Sequence, residues 1–119
     1  MERVSVHRLG DVLLASIQQE VTDSLAVALQ QDLTEMAAAG TRGVIIDISQ
    51  VDIVDSFLAR VLSEIAVATR VLAGRTVVCG MQPSVAITMV EMGLGLPGLH
   101  TARSLRDALA ILEVDEVGP

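Results

Sequence analysis

The fold is indicated by residues 43–58, which read GVIIDISQVDIVDSFL. Residues 44–48 form a short β-branched run between Gly43 and Ser49, which is typical of a buried parallel strand. A helix is predicted to begin near Asp55 and Ser56, because apolar residues then recur at helical spacing until Gly74. A buried strand that leads into a helix is the unit of an α/β sheet.

The residues before this stretch predict a hairpin and a helix. Residues 4–8 and 12–17 read as two strands around the turn residues Gly10 and Asp11. Thr22 or Asp23 can then cap a helix that Gly40 ends. The apolar face of this helix has the spacing i, i+4, i+8 and i+11 and consists of Leu25, Leu29, Leu33 and Met36.

The residues after Gly74 repeat the alternation of strand and helix. Residues 75–80 form another β-branched strand, and Pro83 suits the first turn of a helix that ends at Gly93. A short strand is expected at residues 99–101. Ser104 and Asp107 resemble a capping box for a last helix, and a frayed tail is expected from Val114. The predicted fold is a single α/β domain over residues 1–119, with a mixed, mostly parallel sheet behind a leading hairpin and about four helices.

Several residue types are missing from the chain, and their absence excludes whole classes of function. There is no lysine, so a P-loop lysine, a Schiff-base lysine and the lysine of a receiver domain are excluded. Cys79 is the single cysteine, which excludes an intrachain disulfide and a CxxC motif. A net charge of −7 and one aromatic residue, Phe57, argue against nucleic-acid binding.

The chain is nevertheless apolar, with 51% hydrophobic residues. The longest uncharged run, residues 76–90, contains Gly80 and Pro83 and is too short for a membrane span. The first residues lack the apolar core of a signal peptide. We therefore expect a cytoplasmic protein that buries its surplus apolar surface against other chains, as a homo-oligomer or a large hetero-oligomer.

The residues that could carry catalysis or bind a metal have simpler interpretations. Cys79 at a strand end is expected to be a buried, inert thiol. His7 and His100 lack nearby ligand partners, so no metal site is predicted. Gly93, Gly95 and Gly98 do not form a dinucleotide-binding turn between a strand and a helix. We predict no catalytic residues, no cofactor and no enzymatic activity.

Ser56 is the strongest candidate for a functional residue. A helix N-terminus stabilises a phosphate locally, whereas the carboxylates of Asp52 and Asp55 would add to its negative charge. Phosphorylation of Ser56 would thus repel or block a partner without unfolding the chain, and Phe57, if exposed, could anchor that partner. The alternative is that Ser56 is only the cap or the first residue of a helix.

The chain resembles the STAS domain (sulphate transporter and anti-sigma antagonist) over nearly its whole length. The residues that carry the resemblance are residues 13–20, 44–52, 55–62, 80–86 and 91–93. The Asp-Ser helix start at residues 55–56 is typical of the antagonist branch. Asp-Ser-Phe at residues 55–57, together with Gly-Met-Gln-Pro at residues 80–83, is similar to the antagonists found in stressosomes.

This resemblance implies a STAS fold and a non-catalytic scaffold. The scaffold would assemble with an RsbR-like STAS co-antagonist and sequester a GHKL-type, RsbT-like serine kinase. That kinase would phosphorylate Ser56 and be released, and an RsbX-like PP2C phosphatase would reset the serine. For Asp52 and Asp55, the resemblance implies only that they are acidic residues flanking this serine.

Two alternatives stay open on the sequence. The first is a SpoIIAA-like anti-anti-sigma factor that binds an anti-sigma kinase directly. In the proteins of that type, however, the phosphoserine lies in the motif Asp-Ser-Ser-Gly, whereas residues 55–58 of this chain are Asp-Ser-Phe-Leu. The second is a small ligand-binding α/β domain that uses the glycine-rich residues 93–98.

Overall fold

The computed structural model of the chain describes residues 5–17, 23–38, 40–51, 56–72, 74–91 and 99–117. Strands and helices alternate after a leading hairpin, as the sequence predicts. The elements are β1 (Ser5–Leu9), β2 (Val12–Ser16), α1 (Asp23–Ala38), β3 (Gly43–Asp47), α2 (Ser56–Leu72), β4 (Arg75–Cys79), α3 (Pro83–Glu91), β5 (Leu99–Ala102) and α4 (Leu105–Val117).

The strands form one sheet in the order β1-β2-β3-β4-β5. β1 pairs with β2 antiparallel, and every later pair is parallel. The turn between β1 and β2 has two residues, and Gly10 has a φ of 62°. Positive φ at the first central residue alone is the pattern of a type II′ turn, whose twist suits a two-residue hairpin. The mixed sheet with a leading hairpin is confirmed.

Two apolar clusters lie on opposite faces of the sheet. The first lies beneath α1, α2 and α3, and includes Leu29, Leu62 and Val85 from these helices. The second lies beneath α4 and includes Leu112. Consecutive residues of β3 alternate between the clusters, Ile45 in the second and Ile46 in the first, because side chains of a strand point to alternate faces. In the described part of the chain, three helices therefore cover one face of the sheet, whereas α4 packs on β3, β4 and β5 of the other face.

Gly43 allows α4 to lie close to the sheet. A Cβ atom at this position would lie 2.7 Å from Cδ2 of Leu112 and 3.0 Å from the carbonyl oxygen of Arg75. A larger residue would therefore require the Leu112 side chain to move and the backbone at Arg75 to shift slightly.

Arg8 ties the leading hairpin to the C-terminal end of α1. Its guanidinium donates hydrogen bonds to the carbonyl oxygens of Met36, at 3.1 Å, and Gly40, at 3.0 Å. A cation at this end stabilises the helix, because its last carbonyl groups have no partner within the helix. Asp11 in the hairpin turn forms an ion pair of 3.1 Å with Arg42, which holds the same end of the sheet.

The last helix confirms one local prediction and corrects another. The backbone N–H of Asp107 donates to Oγ of Ser104 at 3.2 Å, which confirms the predicted cap. The predicted start of the tail, at Val114, is wrong, because α4 continues to Val117. The residues after Val114 tolerate a helix, and the stop signal is Gly118-Pro119. None of the helices that the structure describes is long and apolar enough to cross a membrane.

Candidate functional site

The N-terminus of α2 lies at the edge of the sheet where the parallel strands end. β3 and β4 are parallel neighbours, and α2 connects the end of one with the start of the other. The helix must therefore run back against the strand direction, so that its first residue, Ser56, lies at the carboxyl edge of the sheet. The positive end of the helix dipole and the free backbone N–H groups of its first turn lie at this edge as well.

A hydrogen-bonded turn follows β3 at this edge. Oδ1 of Asp47 accepts a hydrogen bond from the backbone N–H of Ser49 at 2.9 Å. The N–H of Val51 donates to the carbonyl oxygen of Ile48 at 3.0 Å, and both of these side chains are buried in the first cluster. The turn is thus held by hydrogen bonds on its outer side and by apolar packing beneath it.

The segment after β4 braces the same turn. The side-chain amide of Gln82 donates to the carbonyl oxygen of Ser49 at 3.0 Å. Gly80 lies against the turn at a φ of 75°, and a Cβ atom there would lie 2.8 Å from Cβ of Ser49. The connections that follow β3 and β4 are therefore packed as one unit.

An open cleft of about 430 Å³ lies between the ends of β2 and β3. Its lining is mainly polar and consists of Ser16, Ile17, Asp47, Ser49 and Gln50. Ser49 and Gln50 are exposed, whereas Ser16 and Asp47 are half-buried. The cleft thus offers one carboxylate, two hydroxyl groups and an amide at the edge where α2 begins.

The predicted site residues are only partly described. The sequence predicted Ser56 to be either the cap or the first residue of a helix, and in the structure it is the first residue of α2. Asp52 and Asp55 lie outside the described residues, as does the side chain of Phe57. The predicted role of these four residues therefore stays a prediction.

Cys79 is buried, as predicted, at the end of β4. Burial, followed by the negative charge of Asp47, raises the pKa of its thiol from 9.0 to about 11. The thiolate is the nucleophilic form of cysteine, so this environment opposes nucleophilic chemistry at neutral pH.

The remaining candidates from the sequence do not converge on the cleft. His7 lies on β1 and His100 on β5, the two outer strands of the sheet. Four strand spacings separate them by about 19 Å, so they cannot share a metal ion. The glycine-rich residues 93–98 lie outside the described residues.

The residues that frame the cleft were not predicted as a group. Ser16 and Ser49 line the cleft, and Gln82 donates a hydrogen bond to Ser49. The three residues come from separate parts of the chain, and none of them carries a strong motif. A usable signal was present in their position, because each follows or ends a predicted parallel strand. The carboxyl ends of such strands meet at one edge of the sheet, where α/β proteins commonly bind their ligands.

Comparison with known proteins identifies the family. A model of the STAS domain matches residues 3–108. The chain belongs to the STAS domain family, and both the fold and the branch indicated by the sequence are confirmed: it is similar to the STAS anti-sigma-factor antagonists.

Within this family, the chain is similar in structure to RsbS. An RsbS variant of Moorella thermoacetica with a serine-to-glutamate substitution is 34% identical, with a TM-score of 0.81 over 97% of this chain and 98% of that one. A chain of the stressosome, described as a signal integration and transduction hub, is 33% identical, with a TM-score of 0.75 over 94% of this chain and 98% of that one.

The chain is also similar to a curated co-antagonist. The RsbT co-antagonist protein RsbRD of Bacillus subtilis (strain 168) is 33% identical over 101 residues, which are 85% of this chain. The chain spans only 36% of the length of that relative. Antagonists of the STAS family are generally non-catalytic.

Proposed function

We propose that this chain is a non-catalytic stressosome scaffold and antagonist that sequesters a GHKL-type, RsbT-like serine kinase and releases it when Ser56 is phosphorylated. The observation that carries the proposal is the 34% identity to RsbS at a TM-score of 0.81, over 97% of the chain. The start of α2 at Ser56 supports it, because this serine then lies at the exposed backbone N–H groups of the helix start, at the carboxyl edge of the sheet.

The proposed switch follows from the charges around Ser56. A phosphate on Ser56 would lie near the free N–H groups of the first turn of α2, so it would leave the helix intact. Asp52 and Asp55 precede the serine in sequence, and Asp47 lines the neighbouring cleft. Adding nearly two negative charges beside these acids would repel a kinase that docks through an anionic surface. Phe57 would supply an apolar contact with the kinase in the unphosphorylated state.

The proposed assembly follows from the relatives. One is named an RsbT co-antagonist, and another is a chain of the stressosome. This chain would take the antagonist position beside an RsbR-like STAS co-antagonist in a large cytoplasmic hetero-oligomer. An RsbX-like PP2C phosphatase would remove the phosphate and restore kinase binding.

Intact-mass spectrometry with peptide mapping tests the acceptor residue. The chain is incubated with its cognate GHKL-type kinase and ATP, and we expect one added phosphate on Ser56. Ser49→Ala is the matched control, because Ser49 is an exposed serine at the same edge of the sheet. We expect Ser49→Ala to be labelled as the parent is, and Ser56→Ala to stay unlabelled. Labelling of Ser56→Ala at the parental level would show that the assigned site is wrong.

Particle size separates the proposal from the SpoIIAA-like alternative. Mixing the chain with an RsbR-like co-antagonist should give a particle of megadalton size in light scattering. A small complex with an anti-sigma kinase, and no large particle, would favour the SpoIIAA-like function. A metabolite that copurifies with the chain would favour the ligand-binding alternative.

A further inference from the structure

The cleft between the ends of β2 and β3 contains a carboxylate that no cation neutralises within the described part of the chain. This carboxylate belongs to Asp47, which ends β3 and is half-buried. Its Oδ1 accepts the backbone N–H of Ser49 at 2.9 Å, and it forms no ion pair with any residue that the structure describes. A half-buried charge without a counter-ion is costly, so a cation that binds beside it is favoured.

Other hydrogen-bond acceptors surround this carboxylate. Ser16 and Asp47 are paired in the register of the parallel strands, so their side chains lie side by side on one face of the sheet. The side chains of Ser16, Ser49 and Gln50 form no hydrogen bond with the described residues. Two hydroxyl oxygens and one amide oxygen are therefore available to accept N–H donors near Asp47.

The cleft is accessible and large enough for a small polar group. Its volume of about 430 Å³ lies within the range of small-molecule sites. Ser49 and Gln50 are exposed at its rim. α4, which lies on the same face of the sheet as the Asp47 side chain, packs mainly on β3, β4 and β5. A planar group of several atoms can therefore reach Asp47 from solvent.

The lining of the cleft selects a cation with several donors. An anion would meet the charge of Asp47 in a chain with a net charge of −7, and an apolar group would leave the polar lining unsatisfied. A metal ion would lack ligands, because the described residues contain no group of three metal-binding side chains. A guanidinium group has five N–H donors in a planar fork and can donate to both oxygens of one carboxylate.

We propose that the cleft between β2 and β3 binds a guanidinium group through both carboxylate oxygens of Asp47. One N–H donates to Oδ2, and a second donates to the remaining lone pair of Oδ1, which keeps its hydrogen bond to Ser49. The outer N–H groups donate to the hydroxyl of Ser16 and the side-chain oxygen of Gln50. The guanidinium group belongs to a free arginine-like molecule or to an arginine side chain of a partner protein.

Guanidinium binding at Asp47 is a property of the chain alone and requires neither the kinase nor the co-antagonist. Its failure would leave the proposed switch at Ser56 untouched. Equally, a chain that is not phosphorylated on Ser56 could still bind a guanidinium group in this cleft.

Nuclear magnetic resonance titration of the purified, isotope-labelled chain tests the site. The probe is the peptide acetyl-Gly-Arg-Gly-amide, and the matched control peptide carries citrulline, a neutral analogue of similar shape, in place of arginine. We expect the arginine peptide to give saturable shifts of the backbone N–H signals of Ser49 and Gln50, with a Kd in the millimolar range. The citrulline peptide should give none. Tighter binding of the peptide than of free arginine assigns the site to a partner's side chain, and the reverse assigns it to a free molecule.

The main variant is Asp47→Asn, because asparagine keeps the size of the side chain and an oxygen that can accept the N–H of Ser49. It removes the charge, so the affinity for the arginine peptide should fall about tenfold or more. Glu35→Gln is the control, since it removes an exposed carboxylate from the end of α1 that lies beside Arg8, at the opposite edge of the sheet. It should change the affinity by less than about twofold.

A second variant, Ser16→Ala, leaves the turn at Ser49 intact and should weaken binding by about two- to tenfold. Three results would overturn the proposal. The first is the absence of saturable shifts at Ser49 and Gln50 with both the arginine peptide and free arginine. The second is equal binding of the citrulline peptide. The third is unchanged affinity in Asp47→Asn or, if that variant does not fold, in Ser16→Ala.

Discussion

Gly80 and Ser49 lie in direct contact across the ends of two neighbouring parallel strands. A Cβ atom on Gly80 would lie 2.8 Å from Cβ of Ser49, and Gly80 has a φ of 75°. The residue after β4 therefore has to be a glycine for two reasons, its backbone conformation and the space available to it. This contact holds the turn that leads from β3 towards Ser56.

We expect Gly80→Ala to lower the free energy of unfolding by about 2–4 kcal/mol, through a left-handed φ and a steric overlap together. Gly10→Ala is the matched control, because Gly10 has a similar φ of 62° but nothing within 4 Å of a Cβ atom. Gly10→Ala should lower the free energy of unfolding by about 1 kcal/mol, because it adds the strain of the left-handed φ without a steric overlap. Urea denaturation measures both, and equal losses would show that the contact with Ser49 is unimportant.

Arg8 is expected to stabilise α1 through the hydrogen bonds to Met36 and Gly40. Arg8→Met keeps most of the aliphatic chain but removes the charge and the donors. Because the group is exposed, we expect a loss of about 1 kcal/mol. Arg106→Met, an exposed arginine on α4, should change stability by less than about 0.5 kcal/mol. Thermal denaturation of both variants makes the comparison, and equal midpoints would contradict the role of Arg8 at the helix end.

The pKa of Cys79 predicts how stability changes at alkaline pH. Its pKa is raised from 9.0 to about 11 in the folded chain, so the unfolded chain loses the thiol proton first. The stabilisation is therefore complete below about pH 9 and decreases as the pH rises towards 11. Denaturation curves between pH 8 and 11 should show this decrease in the parent. The same curves should show a smaller decrease in Cys79→Ala, and parallel curves for the two proteins would refute the interpretation.

The same thiol should react slowly with reagents that need a thiolate. We expect Cys79 to be almost unreactive towards a thiol reagent at pH 8 in the folded chain, and to react fully in denaturant. The time course of thiol modification measures this difference. Rapid reaction in the folded state would mean that the end of β4 opens to solvent.

Ser56→Ala should change stability little. α2 begins at Ser56, and the capping side chain normally belongs to the residue before the first helical one. We therefore expect a change below about 0.5 kcal/mol in thermal denaturation. A loss of 1 kcal/mol or more would indicate that Ser56 acts as the cap itself.

Ser56→Asp should imitate the phosphorylated state only in part. Aspartate adds one negative charge, whereas a phosphate adds nearly two at pH 7. We expect kinase binding, measured by calorimetry, to weaken less than it does on true phosphorylation, with the thermal midpoint nearly unchanged. Unchanged kinase binding in both the variant and the phosphorylated chain would contradict a charge-based release.

Local patterns in the sequence predicted most of the elements. The β-branched run at residues 44–48 predicted the central strand, and Ser104 with Asp107 predicted the start of α4. These patterns succeed because strand alternation and helix capping depend on residues close together in the chain. The extent of α4 was underestimated, since nothing local before Gly118 marks its end.

The cleft, by contrast, could not be predicted from any single stretch. Ser16 and Ser49 belong to segments that precede and follow α1, and they meet because β2 and β3 are parallel neighbours in register. The hydrogen bond from Gln82 to Ser49 joins residues 33 positions apart. Such contacts depend on the order of strands in the sheet, and a sequence pattern carries that order only through its family.

The sequence by itself determined the class of the fold, the absence of a lysine-based or disulfide chemistry, and Ser56 as the candidate switch at a helix start. Only the tertiary structure decided that the turn after β3 and the segment after β4 brace one another at the edge where α2 begins, and that β1 pairs with β2 alone in the described part of the chain. Residue types and spacings specify local conformation, whereas the environment of each side chain is decided by which strands become neighbours.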